Sequence, residues 1–167
     1  MQPTRVAFFS AVVFALAACA ASGPEHPAAT ETSDSASITG YWIRDGMSTT
    51  WEGHRLESID GTKVSYGLAF NPYVVTVKVE PGTRKLIALT LFNVGTAQYS
   101  ATVPMEVTIK PRTAYVINAA LSGQYIDAWL EDSGSGERAS ENFRGECKKS
   151  VAGGIGFKQG PCVEPTQ

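Results

Sequence analysis

The stretch VPMEVTIK, residues 103–110, decides the fold. Val103, Met105, Val107 and Ile109 share one parity, and Pro104, Glu106, Thr108 and Lys110 share the other. In an extended chain this alternation turns one face to a core and the other to water. The run KLIALTLFN, residues 85–93, is apolar at both parities. That pattern predicts a central strand covered on both faces.

Turn chemistry punctuates the apolar runs. Asp60-Gly61 separates RLESI from TKVSYGLAF, and both residues tolerate positive φ, the requirement of a two-residue hairpin. Glu80-Pro81-Gly82-Thr83 joins VVTVKV to the central run, with Pro fixing φ and Gly supplying the positive-φ position of a type II turn. Pro111-Arg112 links EVTIK to TAYVINAAL, and Ser122-Gly123 leads into YIDAWLE. Four tight turns in succession predict an all-β domain, an antiparallel meander or sandwich. Parallel pairing would need crossover helices, and no long 3.6-residue periodicity supplies them. Toward the end of the chain Ala139, Phe143 and Cys147 fall at helical spacing, which admits one short helix. Gly153, Gly154, Gly156 and Gly160 then read as a loop.

The domain expected from these runs covers residues 38–167. With 167 residues in all, near-average apolar and charged fractions and a net charge of −2, the chain reads as one globular unit. Lys and Arg are scattered, so the basic face that displaces counterions from nucleic acid is missing, and a nucleic-acid partner is not expected.

The first 37 residues have another character. VAFFSAVVFAL, residues 6–16, carries no charge and follows Arg5, the layout of an export signal. It is too short for a mature membrane span, which needs about 20 residues. Leu16-Ala17-Ala18-Cys19 then resembles the lipobox of bacterial lipoproteins, in which the cysteine becomes the acylated mature N-terminus. Residues 1–18 are accordingly expected to be a lipoprotein signal peptide, with Cys19 as the site of lipid attachment. An ordinary secretory signal cut after Ala21 would instead discard Cys19 and release a soluble protein. Stable anchoring takes two or more acyl chains, each buried methylene contributing about 0.8 kcal/mol. By the same resemblance, Ala20 in place of an aspartate after the cysteine implies sorting to the outer membrane. Residues 19–37, rich in Ala, Ser, Thr, Pro and acids, bury too little to offset ordering and read as a lipidated flexible tether. His26 within it reads as solvated.

Setting Cys19 aside leaves Cys147 and Cys162, an even count in an exported protein, and they are expected to pair. The bond would contribute roughly 3 kcal/mol in the chain-entropy picture. Two free thiols are the alternative. A metal site would lack a CxxC or a neighbouring histidine, and none is expected.

Catalytic chemistry is thinly represented. Besides His26 there is only His54, set among residues that read as exposed, with no G-x-S-x-G elbow to support it. The Gly153-Gly154-Ile155-Gly156 run fails the GxGxxG spacing of a phosphate loop. Glu131, Asp132 and Glu137 surround a Ser/Gly turn, and paired carboxylates serve glycoside hydrolysis or calcium binding, yet turn acids are usually just solvated. Tyr41, Trp42, Trp51 and Trp129 could stack on sugar rings or pack across strands. Trp42 and Trp129 are the candidates for a glycan platform. No catalytic residue and no cofactor is expected.

Ile59-Asp60-Gly61, then VKVEPGTRKL, then AYVINA followed by a strand ending in an acidic turn, together resemble small bacterial outer-membrane lipoproteins with a transthyretin-like or PEGA-like β-sandwich core. The resemblance spans roughly residues 55–132 and leaves the C-terminal cysteine segment outside it. Its motifs are structural, so it bears on fold and not on activity. Taken with the lipobox and the tether, the leading expectation is a membrane-anchored, non-enzymatic protein facing the periplasm, engaged in interaction or envelope assembly with a protein or glycan partner. A peptidoglycan- or other glycan-binding module is the alternative, and a small periplasmic hydrolase using His54 and a carboxylate is a third.

Overall fold

The computed structural model describes residues 34–162 apart from positions 48, 68, 154 and 155. The expected signal peptide, most of the tether, Cys19 and His26 lie outside the described residues. The strands are β1 (Ala36–Thr39), β2 (Tyr41–Arg44), β3 (Trp51–Ile59), β4 (Thr62–Lys63), β5 (Thr76–Val79), β6 (Gly82–Val94), β7 (Ala97–Ile109), β8 (Ala114–Ser122), β9 (Tyr125–Asp132), β10 (Phe143–Glu146), β11 (Lys148–Gly153) and β12 (Gly156–Pro161). Before β5 the chain makes one 3-10 turn, Pro72–Val74.

These strands form an all-β sandwich. One sheet has the order β10-β9-β8-β1-β5; the other runs β12-β11-β7-β6-β3-β2, with β4 paired to β3. Its backbone is the long β6–β7 hairpin, in register from Gly82↔Ile109 to Val94↔Ala97. Leu86 faces Met105, Ala88 faces Val103, and Phe92 faces Tyr99, all on the core side. Ile38, Ile117, Ile126 and Leu130 come down from the opposite sheet to meet them. Full burial of an aliphatic side chain of this size contributes roughly 1.5–3 kcal/mol, which makes this shared interior the main source of stability.

The alternation in VPMEVTIK holds through β7 without a break, with Val103, Met105, Val107 and Ile109 buried and the intervening residues exposed. KLIALTLFN is indeed central, between β3 and β7, but it is covered on one face only. Leu86, Ala88 and Phe92 are buried, whereas Ile87, Leu89 and Leu91 lie half-buried on the outer face.

Two of the four expected turns are hairpins. Asp60 and Gly61 both have positive φ, 49° and 82°, and close β3 onto β4; Ser122-Gly123 leads into the β8–β9 pair. The other two carry the chain between sheets. Pro81-Gly82 moves it from β5 to β6, and Pro111-Arg112 from β7 to β8. Arg84 secures the first crossing, donating to Glu80 Oε2 (2.9 Å) and the Pro81 carbonyl (3.2 Å). It also bonds Asp60 Oδ2 at 3.1 Å.

A simple meander is therefore replaced by a fold that switches sheets, and one strand pair is parallel: β1 with β8, Ser37 opposite Ala114. The crossover that parallel pairing requires is made of strands of the second sheet instead of a helix. β1 begins at Ala36, so Ala36 and Ser37, expected at the end of the tether, already pair with Val79 and Lys78 of β5.

The helical spacing at Ala139, Phe143 and Cys147 does not produce a helix. Phe143–Glu146 is β10, paired antiparallel with β9, with Phe143 packed against the core and Arg144 reaching Asp127 across the strands in two hydrogen bonds of 2.7 and 3.0 Å. Gly145 also lets β10 lie against β7: a methyl there would stand 2.9 Å from the Thr102 carbonyl oxygen and from Val103 Cγ2. The glycine-rich segment beyond is the β11–β12 hairpin. The Cys147–Cys162 disulfide joins the two ends of that hairpin, with Cα atoms 5.7 Å apart and both cysteines buried.

Candidate functional site

At the β2–β3–β6 corner of the second sheet the core opens to solvent. On the inward parity, Ile43 faces Glu52 and Glu52 faces Phe92, with His54 and Thr90 one step deeper. Exposure rises along this column from His54 (0%) through Phe92 (9%) to Val94 (41%) and Ile43 (49%). Ile43, Glu52, Phe92 and Val94, with Thr50 and Trp51, line a recess of about 290 Å³. The β2–β3 connection bounds it, held by Asp45 N donating to the Thr50 carbonyl at 3.1 Å, and Met47 on that connection is fully exposed.

Glu52 is the polar group inside this apolar recess. Its carboxylate makes no hydrogen bond or ion pair among the described residues, and burial raises its pKa above the usual carboxylate range. Arg44 also borders the recess, but it pairs with Trp51 and so belongs to the opposite parity. β2 is the edge strand of its sheet, with β3 as its one strand neighbour among the described residues.

His54 is fully buried, which corrects the expectation of an exposed setting. It follows Glu52 at the inward parity of β3, stacks on Tyr41 with ring centroids 5.8 Å apart, and meets Phe92 at 5.2 Å. Among the described residues neither ring nitrogen makes a hydrogen bond of good geometry, although the Gly53 backbone comes near enough to favour the charged ring slightly. Desolvation lowers its pKa to about 4, so the imidazole is neutral near neutral pH. A general base must reach the proton that it removes. His54 has no such access from the surface.

The outer face of the same sheet carries an aromatic cluster. Tyr73 lies over Gly53 and is tilted against Trp51, with ring centroids 6.3 Å apart. The Arg55 guanidinium sits 5.4 Å from the ring centres of both Tyr66 and Tyr73, while pairing with Glu57 at 2.6 Å. The Tyr66 hydroxyl donates to the Leu56 carbonyl, and burial pushes its pKa up to about 12. These contacts fasten the segment after β4 to the sheet. Beside them Trp42, Arg44, Thr49, Trp51 and Asn93 border a second recess of about 350 Å³.

The expected site residues are thus dispersed. Trp42 is 39% exposed on edge strand β2, whereas Trp129 lies on the outer side of the other sheet, its ring covered by the Arg138 guanidinium 4.1 Å from the centroid. The two do not form one platform. Of the three turn carboxylates, Asp132 Oδ1 accepts from Gly134 N at 2.8 Å and Ser135 N at 3.2 Å, and Glu131 accepts from Asn118 at 2.7 Å. Asp132 thus builds the turn, while Glu131 ties β9 to β8. Among the described residues no group of three or more His, Cys, Asp or Glu side chains is placed to hold a metal, and no helix is long and apolar enough to cross a membrane.

Sequence reasoning missed the recess at the sandwich corner. A signal was present in Trp51-Glu-Gly-His54: Glu52 and His54 share the parity of Leu56, a core residue. No family model matches the sequence, and neither a curated protein nor a solved structure matches it.

Proposed function

We propose that the chain is an outer-membrane lipoprotein acylated at Cys19, whose β-sandwich acts on the periplasmic side as a non-enzymatic recognition or envelope-assembly module. The anchor rests on the apolar run, the Leu16-Ala17-Ala18-Cys19 motif and the polar stretch that follows. The recognition role rests on one observation: Ile43 and Val94, large and apolar yet exposed, stand together at one open corner of the sandwich, on edge strand β2 and the end of β6, with exposed Trp42 on the opposite face of β2. An exposed apolar patch rimmed by polar groups is the mark of a surface that binds something.

A photo-crosslinking residue at Ile43, compared with one at exposed Thr108 on β7, tests this in intact cells. The reading expects a discrete adduct with an envelope protein from position 43 alone, abolished by Val94→Asp. Equal labelling from both positions, or none from either, would count against it.

A second reading, a glycan-binding module, is favoured by the recess beside Trp42 and Trp51, where aromatic faces stand next to Arg44 and Asn93. Protection of Trp fluorescence by soluble peptidoglycan fragments, lost in Trp42→Ala, is the expected result for it.

A further inference from the structure

We infer that the corner recess receives a lysine side chain of a partner protein, presented by an extended segment lying along the β2 edge, with its ammonium paired to Glu52. The inference rests on the recognition-module reading and specifies the partner chemistry.

Three observations carry it. Ile43, Phe92 and Val94 form an apolar wall in a recess of about 290 Å³, and such walls suit the methylene stem of a lysine, which buries its carbons while keeping the charge at a polar end. Glu52 stands among them with neither hydrogen bond nor ion pair among the described residues, and a half-buried carboxylate without a partner favours an incoming cation. Among the described residues no cation is paired with it. Arg44 borders the recess but belongs to the opposite parity of β2, His54 below is neutral, and Asp45 lies at the mouth. Finally, β2 leaves one side of its backbone without a strand neighbour among the described residues, which is where an added strand can hydrogen-bond. Side chains of such a strand alternate between faces, so one of them falls on the parity of Ile43 and Glu52.

The test uses the full chain in detergent and a five-residue peptide with one central lysine flanked by threonine and serine. The same peptide with acetyl-lysine or norleucine serves as the control. Binding is followed by NMR shifts at Glu52, Phe92 and Val94. The lysine peptide should bind about tenfold more tightly than either control, a preference that Glu52→Gln removes. It should also return the Glu52 pKa toward the ordinary range. Val94→Lys offers a second check that does not depend on replacing Glu52: an internal ammonium should compete with the peptide and block its binding. Equal affinity for the lysine and norleucine peptides, no binding at all, or binding indifferent to Glu52→Gln would each overturn the inference. Crosslinking from position 43 that persisted in any of those cases would leave the recognition module standing without its lysine.

Discussion

The ring of Tyr73 lies over the α-carbon of Gly53, so close that a methyl group there would stand 3.0 Å from Tyr73 Cδ1, 3.1 Å from Cγ and 3.2 Å from Trp42 Cδ1. Gly53→Ala is therefore expected to push Tyr73 outward and loosen the Tyr66–Arg55–Tyr73 stack. Overpacking of this kind costs about 1–3 kcal/mol. Urea denaturation should register the loss, together with a change in Trp fluorescence from the displaced Trp51 contact. Gly40→Ala should cost more, because its methyl would overlap the carbonyl oxygens of Tyr73 and His54, which are backbone and cannot swing away.

Stability should depend on pH through His54. Its pKa falls from the ordinary 6.5 to about 4 in the folded chain because burial penalises the charged ring. The unfolded chain thus binds a proton in a range where the folded chain does not. This contribution is fully present above pH 6.5, declines as pH falls toward 4, and is lost below that, a total of about 3 kcal/mol. Urea midpoints measured from pH 7.5 to 4 should show the decline. His54→Phe, which carries no titrating group, should flatten it.

Reduction should act on the C-terminal hairpin first. The Cys147–Cys162 bond closes a separation of 15 residues around β11 and β12. Its removal is expected to destabilise the fold by roughly 3 kcal/mol in the chain-entropy picture. Hydrogen exchange should rise in β11 and β12 on adding reductant, while β8 and β9, inside the other sheet, remain protected.

The Arg84 network predicts a local effect at a sheet crossing. Asp60 Oδ1 accepts from Lys85 N at 2.9 Å, and Asp60 Oδ2 accepts from Arg84 at 3.1 Å, so one side chain ties the β3–β4 hairpin to the start of β6. Asp60→Ala also removes a residue suited to positive φ. Destabilisation of about 1–2 kcal/mol is expected, and Asp60→Asn, which keeps an acceptor and tolerates the conformation, should recover most of it.

Much of the sheet architecture was legible because parity is a local property. Val103 to Ile109 must face one way in any strand, and Asp60-Gly61 closes a hairpin by its own backbone preferences. What was not legible depends on partners distant in sequence. Pro81-Gly82 has the same chemistry whether it closes a hairpin or passes the chain to another sheet, and only the pairing of β5 with β1 decides between them. Phe143 reads as helical by spacing until its segment pairs with β9 and its ring reaches the core. The corner recess was hidden for the same reason. Glu52 becomes unusual only when Ile43 and Phe92 are set on either side of it. The disulfide, by contrast, followed from counting cysteines once Cys19 was assigned elsewhere.

In the proposed function, acylation of Cys19 sets where the corner recess is displayed. Envelope fractionation of wild type and Cys19→Ala, with mass spectrometry of the mature N-terminus, tests it most directly. The prediction is an acylated Cys19 at the N-terminus and a wild-type protein in the outer-membrane fraction, with Cys19→Ala absent from that fraction. A soluble wild-type protein with an unacylated N-terminus beyond residue 19 would contradict it.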